Sequence, residues 1–113
     1  MPRILAAEAV GDELLGHLPR LARRRGPDLG LLLAVFSVLP VQWVEAVGYA
    51  AWEREAKGRI SPRDVDDWPT VALGISEARS RAVALWTQDK DFEVSGLPTI
   101  TTGALLDVME GRR

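Results

Sequence analysis

Ala82-Val83-Ala84-Leu85-Trp86-Thr87-Gln88-Asp89-Lys90-Asp91-Phe92 is the stretch on which the fold turns. Its first five residues are apolar and read as a short buried strand, and two carboxylates follow at once. In an α/β sheet, ligands bind in the crevice beyond the carboxyl ends of the strands, so Asp89 falls where a metal or substrate group would be held. An Asp-x-Asp after a strand also makes an ordinary solvated turn. The surrounding sequence decides between the two.

On the amino-terminal side, Trp68-Pro69-Thr70-Val71-Ala72-Leu73 begins a helix. Pro69 suits a first helical turn, where its missing N–H goes unused, and Asp67 stands at the cap position. Val71, Ile75 and Ala78 form the inward stripe of this helix, which sets Asp67 on the core-facing side at its start. Asp67 and Asp89 should therefore be neighbours. On the carboxyl side a loop runs to Gly96, a second short strand spans about Thr99 to Thr101, and a last helix starts at Gly103 with Leu105, Leu106 and Met109 inward.

The first half of the chain is helix-rich. Arg3 to Ala7 reads as a strand, and Val10, Leu14, Leu18 and Leu21 mark one face of a helix from Glu8 to Arg25. Gly26-Pro27-Asp28 stops it and caps a second helix carrying Leu29, Leu32, Leu33 and Phe36. That helix is apolar nearly all round, which calls for deep burial or cover from another subunit. Pro40 ends it. Trp43, Val44, Val47, Ala50 and Ala51 then predict a third helix that runs to Lys57 and is closed by Gly58. Ser61 to Asp67 is the polar loop that follows.

With 113 residues, 47% hydrophobic and 27% charged, the chain is expected to form a single domain spanning 1–113. It has no cysteine, which removes disulfides, thiolate catalysis and cysteine-held metals, and its one histidine cannot build a metal cage alone. A net charge of −2 leaves no overall basic surface, so a nucleic-acid partner must meet a local patch. The longest apolar run, from Leu29 to Pro40, is too short to cross a bilayer, and no leader pattern opens the chain. A cytoplasmic protein with no membrane contact is expected.

Three segments in series carry a family likeness. Asp64-Val65-Asp66-Asp67-Trp68-Pro69-Thr70-Val71-Ala72-Leu73, then Leu85 to Phe92, then Gly96-Leu97-Pro98-Thr99-Ile100-Thr101-Thr102-Gly103-Ala104-Leu105-Leu106, resemble the C-terminal half of a PIN domain, the fold of VapC-type toxin ribonucleases. Ile4 to Arg24, with Glu13-Leu14-Leu15, is similar to the strand and acid-bearing helix that precede them in that family. The likeness is weakest between Leu29 and Arg59. It implies an α/β fold, a parallel sheet flanked by helices, whose clustered carboxylates bind Mg²⁺ or Mn²⁺ for hydrolysis of RNA phosphodiesters. By position, Glu13, Asp67 and Asp89 match the catalytic and metal-holding acids, with Asp91 and Asp64 as accessories. RNA, an antitoxin protein and a second copy in a homodimer are the partners it implies. Hard divalent cations take oxygen ligands and can activate water and neutralise phosphate charge, so the chemistry agrees.

One departure stands out. The strand that opens the family's sheet, with its terminal Asp, is absent, and Asp12 is a poor substitute because adjacent helical residues point about 100° apart. A gene start placed too late, a strand supplied by another subunit, or a degenerate remnant each account for it. The alternatives to a ribonuclease are thus a catalytically inactive PIN-like fragment acting by protein contact through the face around Leu29 to Phe36, and, more remotely, an unrelated helical binding module. Among the remaining residues, His17 reads as packing at the edge of the apolar stripe. Arg20, Arg23, Arg24 and Arg25 complement the helix dipole, meet an RNA backbone or dock an acidic partner peptide. Trp43, Trp52 and Trp86 are expected in the core, and Trp68, beside Asp67, is the tryptophan placed to meet a ligand.

Overall fold

The structure is a computed structural model and describes residues 3–25, 28–38, 40–60 and 62–111. Gly26, Pro27 and Ser61, and the side chains of Arg25, Leu32 and Phe36, lie outside the described residues.

Strand β1 (Ile4–Ala7) runs directly into helix α1 (Glu8–Arg25), as the apolar spacing predicts. Asp28 starts α2 (Leu29–Ser37): its Oδ2 accepts from the Leu31 backbone N–H at 3.1 Å, the cap geometry the sequence suggested. After Pro40 the chain departs from expectation. Val41-Gln42-Trp43-Val44 is a strand, β2, pairing in parallel with β1 from Ile4↔Val41 to Ala7↔Val44. Two 3₁₀ turns follow, at Ala46–Gly48 and Ala50–Trp52, before the short helix α3 (Glu53–Arg59). The helical spacing from Trp43 onward is thus overridden. A segment with valine at each end and a tryptophan within it, just beyond a proline, supplies the ladder that β1 needs. Gly58 lies inside α3 and does not close it.

The polar loop is a 3₁₀ segment, Pro62–Asp67, leading into α4 (Trp68–Ala78) with Pro69 in the first turn. Helix α4 is the centre of the molecule. Val71 and Ala72 are wholly buried and Leu73, Gly74 and Ile75 nearly so, while Ala78, expected inward, is exposed. A Cβ at Gly74 would lie 2.8 Å from Leu97 Cδ1 and 3.1 Å from Leu85 Cδ2, so this glycine lets the helix close on the last part of the chain. Around α4 gather Ala7, Tyr49, Ala56, Ile60 and Leu85, with Trp52 and Phe92 at the margin.

Strand β3 is shorter than the apolar run that predicts it, Leu85–Trp86 only, because its parallel partner β4 is just Thr99–Ile100. Between them Lys90–Ser95 forms a 3₁₀ turn ended by Gly96 in the left-handed region (φ 79°), a conformation glycine adopts freely. Helix α5 (Thr102–Met109) closes the fold. Leu105 is half-buried, but Leu106 and Met109, expected inward, are exposed. The architecture is α/β and helix-rich, with small parallel sheets flanked by helices. The strands form two separate pairs, β1–β2 and β3–β4, and α4 packs on β1 and on β3. No helix among the described residues is long and apolar enough to cross a membrane.

Candidate functional site

Asp67 occupies the junction of the 3₁₀ segment and α4, in the cap position, with φ −86° and ψ 5°. This bridge region of backbone space is sparsely populated outside turns and active sites. Its side chain makes no cap hydrogen bond, so the capping role expected of Asp67 is not the one it plays. The carboxyl is half-buried, and its pKa is raised from the ordinary 3.8. Burial is the main cause, and the negative charges of Asp64, Glu13, Asp89 and Asp66 add to it in that order. Residues from α1, from the turn before α4 and from the loop after β3 therefore project their charge onto one carboxyl.

Glu13 lies on α1. It is exposed, and His17 Nε2 lies 3.8 Å from its Oε1 one helical turn on. His17 is thus an exposed partner of Glu13, and the packing role read for it from sequence does not hold. Asp64 sits at a kink inside the 3₁₀ segment, half-buried, with φ −108° and ψ 15°. Sequence reasoning ranked it as an accessory, yet after burial it is the strongest influence on Asp67.

Asp89 follows β3 and is held by two local contacts. Its backbone N–H donates to Thr87 Oγ1 at 2.9 Å, and its Oδ1 accepts from the Asp91 N–H at 2.8 Å. It is exposed, and it is both the solvated turn and the acid neighbouring Asp67 that the sequence offered as alternatives. Asp91 is half-buried and is not among the acids that act on Asp67. Asp12 is exposed and lines a different hollow, of about 300 Å³, with Glu8, Leu15, Trp43 and Glu45.

Two connections escaped the sequence reading. Gln88 Oε1 accepts from the Thr102 N–H at 2.8 Å, and Trp86 Nε1 donates to Thr102 Oγ1 at 2.9 Å. Together they tie the segment carrying Asp89 to the start of α5. Trp86 is 51% exposed, not the core residue expected of a strand tryptophan. Trp43 and Trp52 lie in β2 and a 3₁₀ turn and are half-buried. Trp68 packs against Tyr49 at 5.7 Å with Lys57 over its ring at 5.6 Å, so it is engaged inside the protein.

The acids suit a hard divalent cation in kind, since all offer carboxylate oxygens, one of them partly desolvated and crowded by like charge. Their spacing is another matter. Among the described residues no three histidine, aspartate or glutamate side chains come together closely enough to hold an ion. The two observations are compatible: charge acts over several ångströms, whereas Mg²⁺ ligands stand at about 2.0–2.1 Å.

The sequence model of the PIN domain matches residues 1–109. No curated protein and no solved structure matches the chain.

Proposed function

This chain belongs to the PIN-domain family, and from that premise we propose that it is a divalent-metal-dependent ribonuclease, acting in the cytoplasm as the toxin of a toxin–antitoxin pair. The family places the chain in a nuclease-like superfamily. The observation that carries the finer reading is the convergence of Asp64, Glu13 and Asp89 on the half-buried Asp67. Like charges are not gathered around a partly desolvated carboxyl without cost, and a cation removes that cost.

In this reading Glu13, Asp67 and Asp89 would hold Mg²⁺ or Mn²⁺, with Asp91 and Asp64 as accessories. When bound, such an ion supplies a Lewis acid that lowers the pKa of water and neutralises charge on the scissile phosphate. The remaining work falls to the chain. Asp89 has one oxygen, Oδ1, committed to the Asp91 N–H, which fixes the direction in which Oδ2 is offered. Asp67, half-buried among like charges, would be the ligand whose charge such an ion relieves most. Arg20, Arg23 and Arg24 at the end of α1 are exposed and provide cations for the RNA backbone.

The test is cleavage of single-stranded RNA by the purified chain with Mn²⁺. Activity that EDTA removes, and that Asp67→Asn and Asp89→Asn each reduce by about a hundredfold or more, supports the proposal. Absent or metal-independent cleavage overturns it. In that event the second reading applies, an inactive PIN-like fragment that works by protein contact. The observation favouring it is the apolar helix α2, on which Leu31, Leu33 and Val35 are exposed.

A further inference from the structure

We infer that Trp86 is a stacking platform for an unpaired base of single-stranded RNA, a subsite beside the carboxylates that rests on the ribonuclease reading for the identity of its ligand. Along β3 successive side chains turn to opposite faces. Leu85 is buried against Gly74 of α4, and Trp86 is left 51% exposed on the other face. A lone exposed apolar side chain is common on protein surfaces and by itself calls for no ligand. Two features set this one apart.

The first is that the indole is held in place. Its Nε1 donates to Thr102 Oγ1 at 2.9 Å, and Gln88, two residues on, accepts from the Thr102 N–H at 2.8 Å. With its one polar atom satisfied inside the protein, the side chain offers outward an apolar ring in a fixed orientation. A ring held in this way gives up little rotamer freedom on binding.

The second is where it stands. Trp86 ends β3, and ligands of α/β sheets gather beyond the carboxyl ends of strands. Asp89 follows three residues later, at most about 11 Å of extended chain. A stacked nucleic-acid strand advances about 3.4 Å per nucleotide, so a base on Trp86 lies within about three nucleotides of a phosphate held at Asp89. Gln88, Lys90 and Thr102, which follow the indole or bond to it, are exposed and polar, and Gly103 has open space where a side chain would stand. Lys90 supplies a cation for the RNA backbone. An indole so flanked suits a base and its phosphate better than the apolar centre of a protein interface. Every base has a π-face, so the platform holds RNA without selecting its sequence.

Fluorescence anisotropy of a labelled decauridylate, titrated with the full chain in EDTA at low ionic strength, tests the inference. Trp86→Leu is expected to weaken binding by about fivefold or more, and Trp86→Phe, which keeps an aromatic ring, by less than about twofold. The same sugar–phosphate chain without bases should bind more weakly, and equally to wild type and Trp86→Leu. Wild-type affinity in Trp86→Leu, or an equal loss on the chain without bases, overturns it. Absence of binding to either probe also overturns it and leaves the indole to a protein partner. If Trp86→Leu fails to fold, photo-crosslinking of the wild type to a 5-iodouridine oligonucleotide decides: a crosslink mapped to Trp86 supports the platform, and none there overturns it. Base-dependent binding through Trp86 without Mn²⁺-dependent cleavage would sink the ribonuclease reading alone, and cleavage with binding indifferent to Trp86 would sink this inference alone.

Discussion

Asp64 lies one turn before Asp67 and, after burial, does more than any other residue to raise the pKa of the Asp67 carboxyl. Their proximity follows from the kinked 3₁₀ segment Pro62–Asp67, which sets the two side chains close together at the entrance to α4. A straight polar loop would have let the charges separate into water.

The pH dependence of stability follows with a definite sign. In the unfolded chain Asp67 titrates near 3.8, and in the folded chain it titrates higher. The folded state therefore binds the proton more tightly, and the stability this group contributes is fully present below the unfolded value and lost as pH rises through the folded one. Asp67→Asn should accordingly raise the melting temperature at neutral pH and flatten its decline with pH above 4. Asp64→Asn should do the same in smaller measure, because it relieves one of several causes. Thermal unfolding across a pH series measures both.

A cation binding at the same acids should reverse that cost. Mn²⁺ is expected to stabilise the wild type as its concentration passes the dissociation constant, by about 2.7 kcal/mol at a hundredfold excess over that constant, and so to raise its melting temperature. Asp67→Asn should respond far less. The effect should grow with pH, since metal and proton compete for the same oxygens. An equal response in wild type and variant would separate the cation from this cluster.

Asp89 allows its structural and chemical roles to be told apart. Its Oδ1 accepts from the Asp91 N–H, a bond that asparagine can also make. Asp89→Asn should leave stability within about 0.5 kcal/mol, the usual range for a surface change, yet remove the charge that a cation needs. Asp89→Ala should lose the turn as well, at a cost of about 1 kcal/mol. Urea unfolding of the two variants beside the cleavage assay distinguishes the contributions.

Much of this architecture was legible in the sequence, and the failures have physical causes. The spacing of Val10, Leu14, Leu18 and Leu21 gave α1 its full extent, and Asp28 and Pro69 marked helix starts correctly. Val41 to Val44 was misread because its apolar spacing fits a helix as well as a strand, and only its pairing with β1 settles the matter. Trp86 was assigned to the core on residue type, but β3 is two residues long and has too little sheet around it to cover an indole. The site divides in the same way. Asp89 is placed near Asp67 by topology and Glu13 by the family likeness, whereas the rank of Asp64 depends on a local kink, and the Gln88–Thr102 bond on a contact between segments 14 residues apart. No periodicity encodes either.

The approach of α1 to β2 rests on Gly11. A Cβ there would lie 2.9 and 3.0 Å from Cζ3 and Cε3 of the Trp43 ring. In an open helix Gly→Ala would stabilise by up to about 1 kcal/mol. Here a rigid indole must give way, and overpacking of this kind costs about 1–3 kcal/mol. Gly11→Ala should therefore be net destabilising, whereas Gly16→Ala, which meets nothing within 4 Å on the same helix, should stabilise. Denaturant midpoints of the two variants, compared at constant slope, test the contrast.

The start of α5 is fixed from two directions, which sets the outcome at each. Thr101 Oγ1 accepts from the Ala104 N–H at 3.2 Å as a conventional cap, and Gln88 Oε1 accepts from the Thr102 N–H. Thr101→Ala should cost about 1 kcal/mol through the helix alone. Gln88→Ala removes a net hydrogen bond of about 0.5–1.5 kcal/mol, but that bond also anchors the segment leading to Asp89. Both variants should lower the denaturant midpoint by similar amounts. Only Gln88→Ala should also weaken Mn²⁺-induced stabilisation, because it frees the backbone that carries the carboxylate, while Thr101→Ala loosens a helix end that bears none. Mn²⁺ titrations followed by thermal shift on the two variants would show the difference, and equal loss in both would assign Gln88 a purely structural role.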